Sequence, residues 1–265
     1  MKFLLAGGGT GGHFFPALSV AEELLKRGHD VLYIGSLKGI ESKEEFPSRK
    51  ELLDVSGFVG RGFRGIVGSY KFLTSSFRVW KLIKEFNPNS AIVFGGYSSL
   101  PAGTASLLSG LPLFVQEQNS VPGRVNRFLS RFSKECFLGF PFFSYFNKPS
   151  IFTGNPIREK IRKSRKLKKK KIKEKLGLNT EREILLILGG SQGALWINEK
   201  ISELLPQLAN LKIQVIHITG KNKKEKELKE KYKEHGIRAL VLPFYKEIGE
   251  LYRVADAAVS RAGAL

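Results

Sequence analysis

The stretch Phe3-Leu4-Leu5-Ala6-Gly7-Gly8-Gly9-Thr10-Gly11-Gly12-His13 runs from a short apolar segment directly into a glycine-rich turn. Four apolar residues without alternation read as a strand buried on both faces, which is the pattern of a parallel sheet. Residues 16–27 then place Leu18, Ala21, Leu24 and Leu25 on one helical face, and Gly28 supplies a C-terminal stop. Strand, tight turn and helix together open an α/β fold.

The same alternation continues outward from this unit. Strands are expected at 31–34, 91–94, 113–115 and around 136–138, with helices near 70–86, 101–109 and 123–130. After Phe152-Thr153-Gly154-Asn155-Pro156 and a basic stretch, the pattern restarts: an apolar strand at 184–188, a second turn Gly189-Gly190-Ser191-Gln192-Gly193, and a helix at 194–208. Strands at 213–218, 239–242 and 257–260 then alternate with a charged helix at 221–234 and a short one at 248–254. The expectation is two doubly wound, Rossmann-like units, 1–155 and 156–265. The last strand is followed by Arg261-Ala262-Gly263-Ala264-Leu265, a turn where another helix should begin, so the second unit reads as incomplete and the chain as C-terminally truncated.

Composition narrows the class. With 42% hydrophobic and 26% charged residues in 265, the chain can bury a core and is not a disordered segment. A single cysteine, Cys136, cannot form an internal disulfide and reads as a small buried hydrophobe in a reducing compartment. The net charge is +20, and residues 158–175 carry half of it with twelve Lys/Arg against two Glu. Such a run could meet nucleic acid or an anionic membrane. No aromatic residues interleave with it to stack bases, so a solvated surface is favoured and no nucleic-acid partner is expected. The N-terminal apolar run is cut by Gly7 before it could serve as a secretory signal. Residues 99–115 are broken by Pro101, Gly103, Gly110 and Pro112 and are too short to span a bilayer, so any membrane contact is expected to be peripheral.

Gly7, Gly9 and Gly12 satisfy G-x-G-x-x-G between strand and helix, where backbone amides can face an anion or the glycines can serve helix packing alone. A dinucleotide site also wants an acid after the second strand, and Ile34 is followed by Gly35-Ser36-Leu37, which argues against NAD. His13 occupies the first turn after the glycine-rich loop, at the edge of the sheet where open α/β folds bind ligands, either as a general base or as a hydrogen-bonded structural residue. The turn at Gly189 adds a hydroxyl and an amide, groups suited to a diphosphate. Gly95-Gly96-Tyr97-Ser98-Ser99 and Gln116-Glu117-Gln118-Asn119 follow strands on the same edge and are candidates for an acceptor site. There is no Cys/His cluster or Asp-x-Asp element, so no tightly held metal is expected; nucleoside-triphosphatase and serine-hydrolase motifs are also absent.

Taken in order, Gly8-Gly9-Thr10-Gly11-Gly12-His13, Gly95-Gly96-Tyr97, Glu117-Gln118-Asn119, Gly154-Asn155-Pro156-Ile157-Arg158, Gly189-Gly190-Ser191-Gln192-Gly193-Ala194 and Arg261-Ala262-Gly263-Ala264-Leu265 resemble the MurG family of N-acetylglucosaminyltransferases in bacterial peptidoglycan synthesis. The resemblance implies a GT-B fold, two Rossmann-like domains facing across a cleft, with an N-terminal acceptor and membrane-associated domain and a C-terminal UDP-sugar domain. It implies inverting transfer of N-acetylglucosamine from UDP to the muramoyl C4 hydroxyl of lipid I, giving lipid II, with no cofactor. His13 matches the family's candidate base and Glu117 a further catalytic position. Thr10, Gly11, Gly12, Asn119, Arg158, Ser191, Tyr245, Ala264 and Leu265 match sugar-nucleotide contacts, and Tyr97 and Gln118 fall to the acceptor side. Tyr245 stands where an aliphatic residue is common, and Gln116 where a histidine is common. The family's segment after Ala-Leu, which carries a ribose-binding glutamate, is not present, so residues 1–265 alone are expected to be inactive.

A lipid-linked acceptor implies work at the cytoplasmic face of the bacterial plasma membrane. Arg61, Phe63, Arg64, Ile66, Lys71 and Phe72 interleave cations with apolar side chains, a composition suited to an anionic membrane surface. Core packing of the following helix is the competing assignment for the aromatic residues.

Overall fold

Side chains of successive strand residues point to opposite faces, and in this protein both faces are apolar. Leu4 and Ala6 pack on one side of the first strand with Leu32, Ile34, Ala91 and Val93, whereas Leu5 packs on the other with Val31, Tyr33 and Phe94. A sheet of that kind must be covered by helices on both sides. The structure, a computed structural model, describes residues 1–55, 63–141, 146, 149–190, 193–221 and 224–261, the side chains of 63–66 excepted.

The chain divides into two compact units, with the division between Arg158 and Glu159. The first unit contains β1 (Lys2–Ala6), α1 (Gly11–Lys26), β2 (Asp30–Ser36), a 3-10 turn (Ile40–Ser42), β3 (Arg49–Leu53), α2 (Phe63–Phe86), β4 (Ser90–Val93), α3 (Ser99–Leu108), β5 (Leu113–Glu117), α4 (Arg124–Leu129), β6 (Glu135–Leu138) and β7 (Ser150–Phe152). Its strands form one sheet in the order β3-β2-β1-β4-β5-β6-β7, parallel throughout. Val79, Leu82 and Ile83 of α2, Ala102 and Ala105 of α3, and Leu129 of α4 cover one face; Phe14, Ala17 and Ala21 of α1 cover the other. Cys136 is fully buried, as expected of a small hydrophobe.

The second unit contains α5 (Glu159–Ser164), α6 (Lys169–Lys175), β8 (Ile184–Leu188), α7 (Leu195–Glu203), α8 (Leu205–Ala209), β9 (Gln214–Ile218), α9 (Glu225–Glu234), β10 (Ala239–Leu242), α10 (Ile248–Val254) and β11 (Ala257–Ser260). Its parallel sheet has the order β10-β9-β8-β11. Ile197, Ile201, Leu228 and Tyr232 pack on one face, and Ile172, Leu251 and Val254 on the other.

Four local expectations change. First, α1 begins at Gly11 rather than at Pro16, because Phe14 N already donates to Thr10 O at 3.1 Å; Pro16 lies within the helix, where its ring removes a single amide. Second, β3 and β7 went unrecognised: Arg49, Lys50 and Glu51 carry charge on an edge strand, and Ile151 and Phe152 are exposed on the opposite edge. Third, the helix expected over 194–208 is two helices, since Pro206 lacks the amide that would continue α7. Fourth, the basic stretch is folded. Ile172 of α6 is a core residue, the ammonium of Lys173 donates to the carbonyls of Thr180 and Arg182, and Lys169 and Lys175 pair with Asp256 and Glu250.

Candidate active site

In an open parallel sheet, ligands bind beyond the carboxyl ends of the strands at the point where the strand order reverses. In the first unit that point lies between β1 and β4, because the chain leaves β1 toward β2 and leaves β4 toward β5. The Gly7–Gly12 turn follows β1 and Gly95-Gly96 follows β4, so two of the sequence motifs meet there. Gly8 N donates to Gly95 O at 3.3 Å, and a Cβ on Gly96 would strike the carbonyl oxygen of Gly8. A Cβ on Gly95 would lie 2.9 Å from Cε1 of His13, so the absence of a side chain there gives the imidazole its place. Thr10, at the N-cap of α1, is exposed and makes no capping bond, and Gly11, Gly12 and His13 are half-buried in the first turn. Tyr97, which follows Gly96 in sequence, is 50% exposed.

β5 ends in Gln116 and Glu117, and the chain continues into Gln118 and Asn119. Gln118 is 1% exposed, and its amide nitrogen is within hydrogen-bond reach of Phe94 O, Gln116 O and Gln116 Oε1, all acceptors. That environment assigns the nitrogen, and the side-chain oxygen then faces Nδ1 of His13 at 3.1 Å. Since Gln118 Oε1 can only accept, Nδ1 carries a proton, and in the neutral imidazole Nε2 is then the acceptor nitrogen. The network continues to Asn155 of the Gly154-Asn155-Pro156 motif, which donates to Gln118 O at 3.1 Å and accepts from Gln116 Nε2 at 3.4 Å.

Glu117 is 1% exposed and accepts four N–H groups: the backbone and side-chain amides of Asn119 on one oxygen, and Gly123 N and the Asn126 side chain on the other. Those four bonds occupy the lone-pair positions of a carboxylate. Glu117 thus organises the loop that carries Gln118 and Asn119. Asn126 is a residue that sequence reasoning missed, because nothing in the local pattern of α4 signals a partner on another element. Arg158 places its guanidinium 4.2 Å from the ring centre of Phe15 in α1, a cation–π contact.

In the second unit the strand order reverses between β8 and β11. The glycine turn follows β8, and Gly193 packs so closely on the carbonyl of Thr219 that a Cβ there would strike it. Asn198 in α7, also missed from sequence, donates to the same carbonyl at 3.0 Å and meets His217 Nε2 at 3.0 Å; His217 Nδ1 meets the Tyr232 hydroxyl at 3.0 Å. Burial holds His217 down to about 4, so it is neutral near pH 7. The phenol of Tyr245 donates to Glu250 at 2.6 Å; burial, then this bond, raises its pKa. Ser191, Ala264 and Leu265 lie outside the described residues, as does Arg61.

The membrane candidates divide. Phe63, Arg64 and Ile66 lie on α2 with side chains outside the described residues, Lys71 is paired with Asp54 at 2.6 Å, and Phe72 is half-buried. The exposed apolar face of α2 is formed by Tyr70, Leu73, Phe77 and Trp80, one helical stripe on which Phe77 and Trp80 stack. Lys81 lies over Phe77 and Lys84 over Trp80. Among the described residues no helix is long and apolar enough to cross a membrane, and no cluster of His, Cys, Asp and Glu could hold a metal ion.

Residues 3–138 match the glycosyltransferase family 28 N-terminal domain, and residues 184–265 match the glycosyltransferase family 28 C-terminal domain. Together with two parallel-sheet units of this topology, they define the class: a glycosyltransferase of the GT-B type. The chain is 39% identical to a UDP-N-acetylglucosamine--N-acetylmuramyl-(pentapeptide) pyrophosphoryl-undecaprenol N-acetylglucosamine transferase of Aquifex aeolicus, over 98% of this chain and 74% of that protein. A relative of the same name from Sulfurihydrogenibium sp. is 37% identical over 99% of this chain and 72% of its own length. The crystal structure of Acinetobacter baumannii MurG is similar over 99% of this chain and 74% of that one, with a TM-score of 0.73 at 28% identity. The chain belongs to the MurG family.

Proposed function

We propose that this protein transfers N-acetylglucosamine from UDP-N-acetylglucosamine to the muramoyl C4 hydroxyl of lipid I, forming lipid II in bacterial cell-wall synthesis. The observation that carries this reading is the His13–Gln118 bond: it keeps the proton on Nδ1 and leaves Nε2 free to accept one, the requirement for a base on the acceptor side of an inverting displacement. As the hydroxyl oxygen bonds to the anomeric carbon, its proton passes to His13 Nε2. The bond from that carbon to the diphosphate breaks, and UDP leaves with the electron pair and an added negative charge. Backbone amides of the Gly189–Gly193 turn at the start of α7 would meet that charge, with the Ser191 hydroxyl beside them.

In this reading Tyr97 and Gln118 belong to the acceptor side, and Gln118 acts on the reaction through His13. Thr10, Gly11, Gly12, Asn119, Arg158, Ser191, Tyr245, Ala264 and Leu265 contact the sugar nucleotide. Glu117 enters as a positioning group, because its oxygens are engaged by the loop. The first unit then serves acceptor and membrane, and the second serves the donor. The stripe of Leu73, Phe77 and Trp80 with Lys81 and Lys84 supports peripheral binding to an anionic bilayer, at the cytoplasmic face of the plasma membrane where the donor is found.

The test is incorporation of radiolabel from UDP-N-acetylglucosamine into a lipid I analogue. It is run on this chain alone and on the chain fused to the part of the Aquifex aeolicus relative that the alignment leaves uncovered. Product in either form supports the reading. UDP binding without product in both forms would instead mark a silent sugar-nucleotide-binding protein.

A further inference from the structure

Glu41 is a fully buried carboxylate with no task in the reaction above. It lies in the 3-10 turn after β2, and its side chain returns to the glycine turn that follows β1. Gly9 N donates to both carboxylate oxygens, at 2.9 and 3.1 Å, and Ser36 N donates to Oε1 at 2.7 Å. Three glycines make the room: a Cβ on Gly8 or Gly39 would strike the carboxylate, and one on Gly35 would come within 2.7 Å of Glu41 Cγ. Among the described residues the hydrogen bonds to this carboxylate come from the backbone amides of Gly9 and Ser36, while the nearby Lys50 ammonium donates to the Glu41 backbone carbonyl instead.

In a dinucleotide-binding turn the amides face a ligand pyrophosphate, and an acid near the end of the second strand reaches the ribose. Here an acid does come from just beyond the second strand, but it is sealed from solvent and takes up the amide itself. We propose that Glu41 is the built-in anion of this turn. It closes the Gly9 amide to substrate phosphate, the Gly7 and Gly8 amides being taken by the carbonyls of Ile34 and Gly95, and it braces the start of α1, leaving only Thr10, Gly11 and Gly12 open to ligand, so that it acts as a positioning residue for His13. The inference rests on the transferase reading only in its kinetic consequence.

The decisive measurement uses inorganic diphosphate as the probe. In the unmodified chain the NMR coupling across the hydrogen bond from Gly9 nitrogen to the Glu41 carboxylate should persist at saturating diphosphate. Its loss on addition of diphosphate would overturn the proposal. Glu41→Ala vacates the space and should bind diphosphate at least tenfold more tightly than the unmodified chain, with Gly9 now responding; equal affinity would also overturn it. Glu41→Leu removes both acceptor oxygens at similar size, and should lower kcat at least tenfold while UDP affinity stays within twofold. A parallel loss of UDP affinity would indicate general unfolding and would count against positioning. If no turnover is found in any form while the diphosphate results hold, the transferase reading fails and the role of Glu41 in the turn stands.

Discussion

His13 Nδ1 and Gln118 Oε1 lie 3.1 Å apart although the two residues are separated by 105 positions in the chain. The first is carried by the helix after β1 and the second by the loop after β5, and a parallel sheet brings both connections to the same edge. The bond selects one tautomer of the imidazole.

That selection predicts unequal effects on binding and turnover. His13→Ala should lower kcat by about 10²–10⁴-fold, the usual contribution of a general base, and leave UDP affinity by calorimetry within twofold. Gln118→Leu should lower kcat less, up to about tenfold, because the neutral ring is then free to hold its proton on either nitrogen. Normal turnover in this variant would remove Gln118 from the mechanism.

The second unit should lose stability in acid through His217. Its folded-state value of about 4 lies below the ordinary value of 6.5, so between those pH values the unfolded chain binds a proton that the folded chain does not. Stability therefore falls as pH drops from about 6.5 to 4, by up to ~3 kcal/mol from this group. Urea midpoints at pH 7 and 4.5 should differ more in the unmodified protein than in His217→Gln.

Asn198→Ala cuts the link between His217 and the Thr219 carbonyl on which Gly193 rests. Leaving those buried groups unpaired should cost about 1–3 kcal/mol in denaturant unfolding. UDP binding should weaken as well, since the glycine turn loses a support. A variant with lowered stability and unaltered UDP affinity would separate the network from the donor site.

For the membrane face, Lys81→Glu with Lys84→Glu should weaken sedimentation with anionic vesicles, at about 1 kcal/mol per cation near the surface. Phe77→Ser with Trp80→Ser should weaken it further, while UDP binding is retained in both. Equal vesicle binding in all forms would return this stripe to an ordinary solvent-facing role.

The strand at 184–188 was legible to the residue, because a strand packed between helices on both faces needs an unbroken apolar run; those at 239–242 and 257–260 were legible from their short apolar runs alone, although β11 is exposed along its length. β3 was not, because its edge position leaves Arg49, Lys50 and Glu51 compatible with a strand that no periodicity announces. The basic run read as a solvated face, yet Ile172 and Lys173 within it are buried. One apolar residue among lysines is too weak a local signal to reveal a helix held by tertiary packing.

By itself the sequence determined the α/β class, the two successive units and the turns that bear His13 and Gly189, because strand burial and glycine turns are imposed by neighbouring residues. Only the tertiary structure decided which groups those turns meet. Gln118 reaches His13, Glu41 occupies the amide of Gly9, and Asn198 joins His217 to Thr219. Each of these contacts joins a side chain to a group on a separate element, and the sheet order that makes them neighbours is set by the packing of both faces at once, which no local stretch encodes.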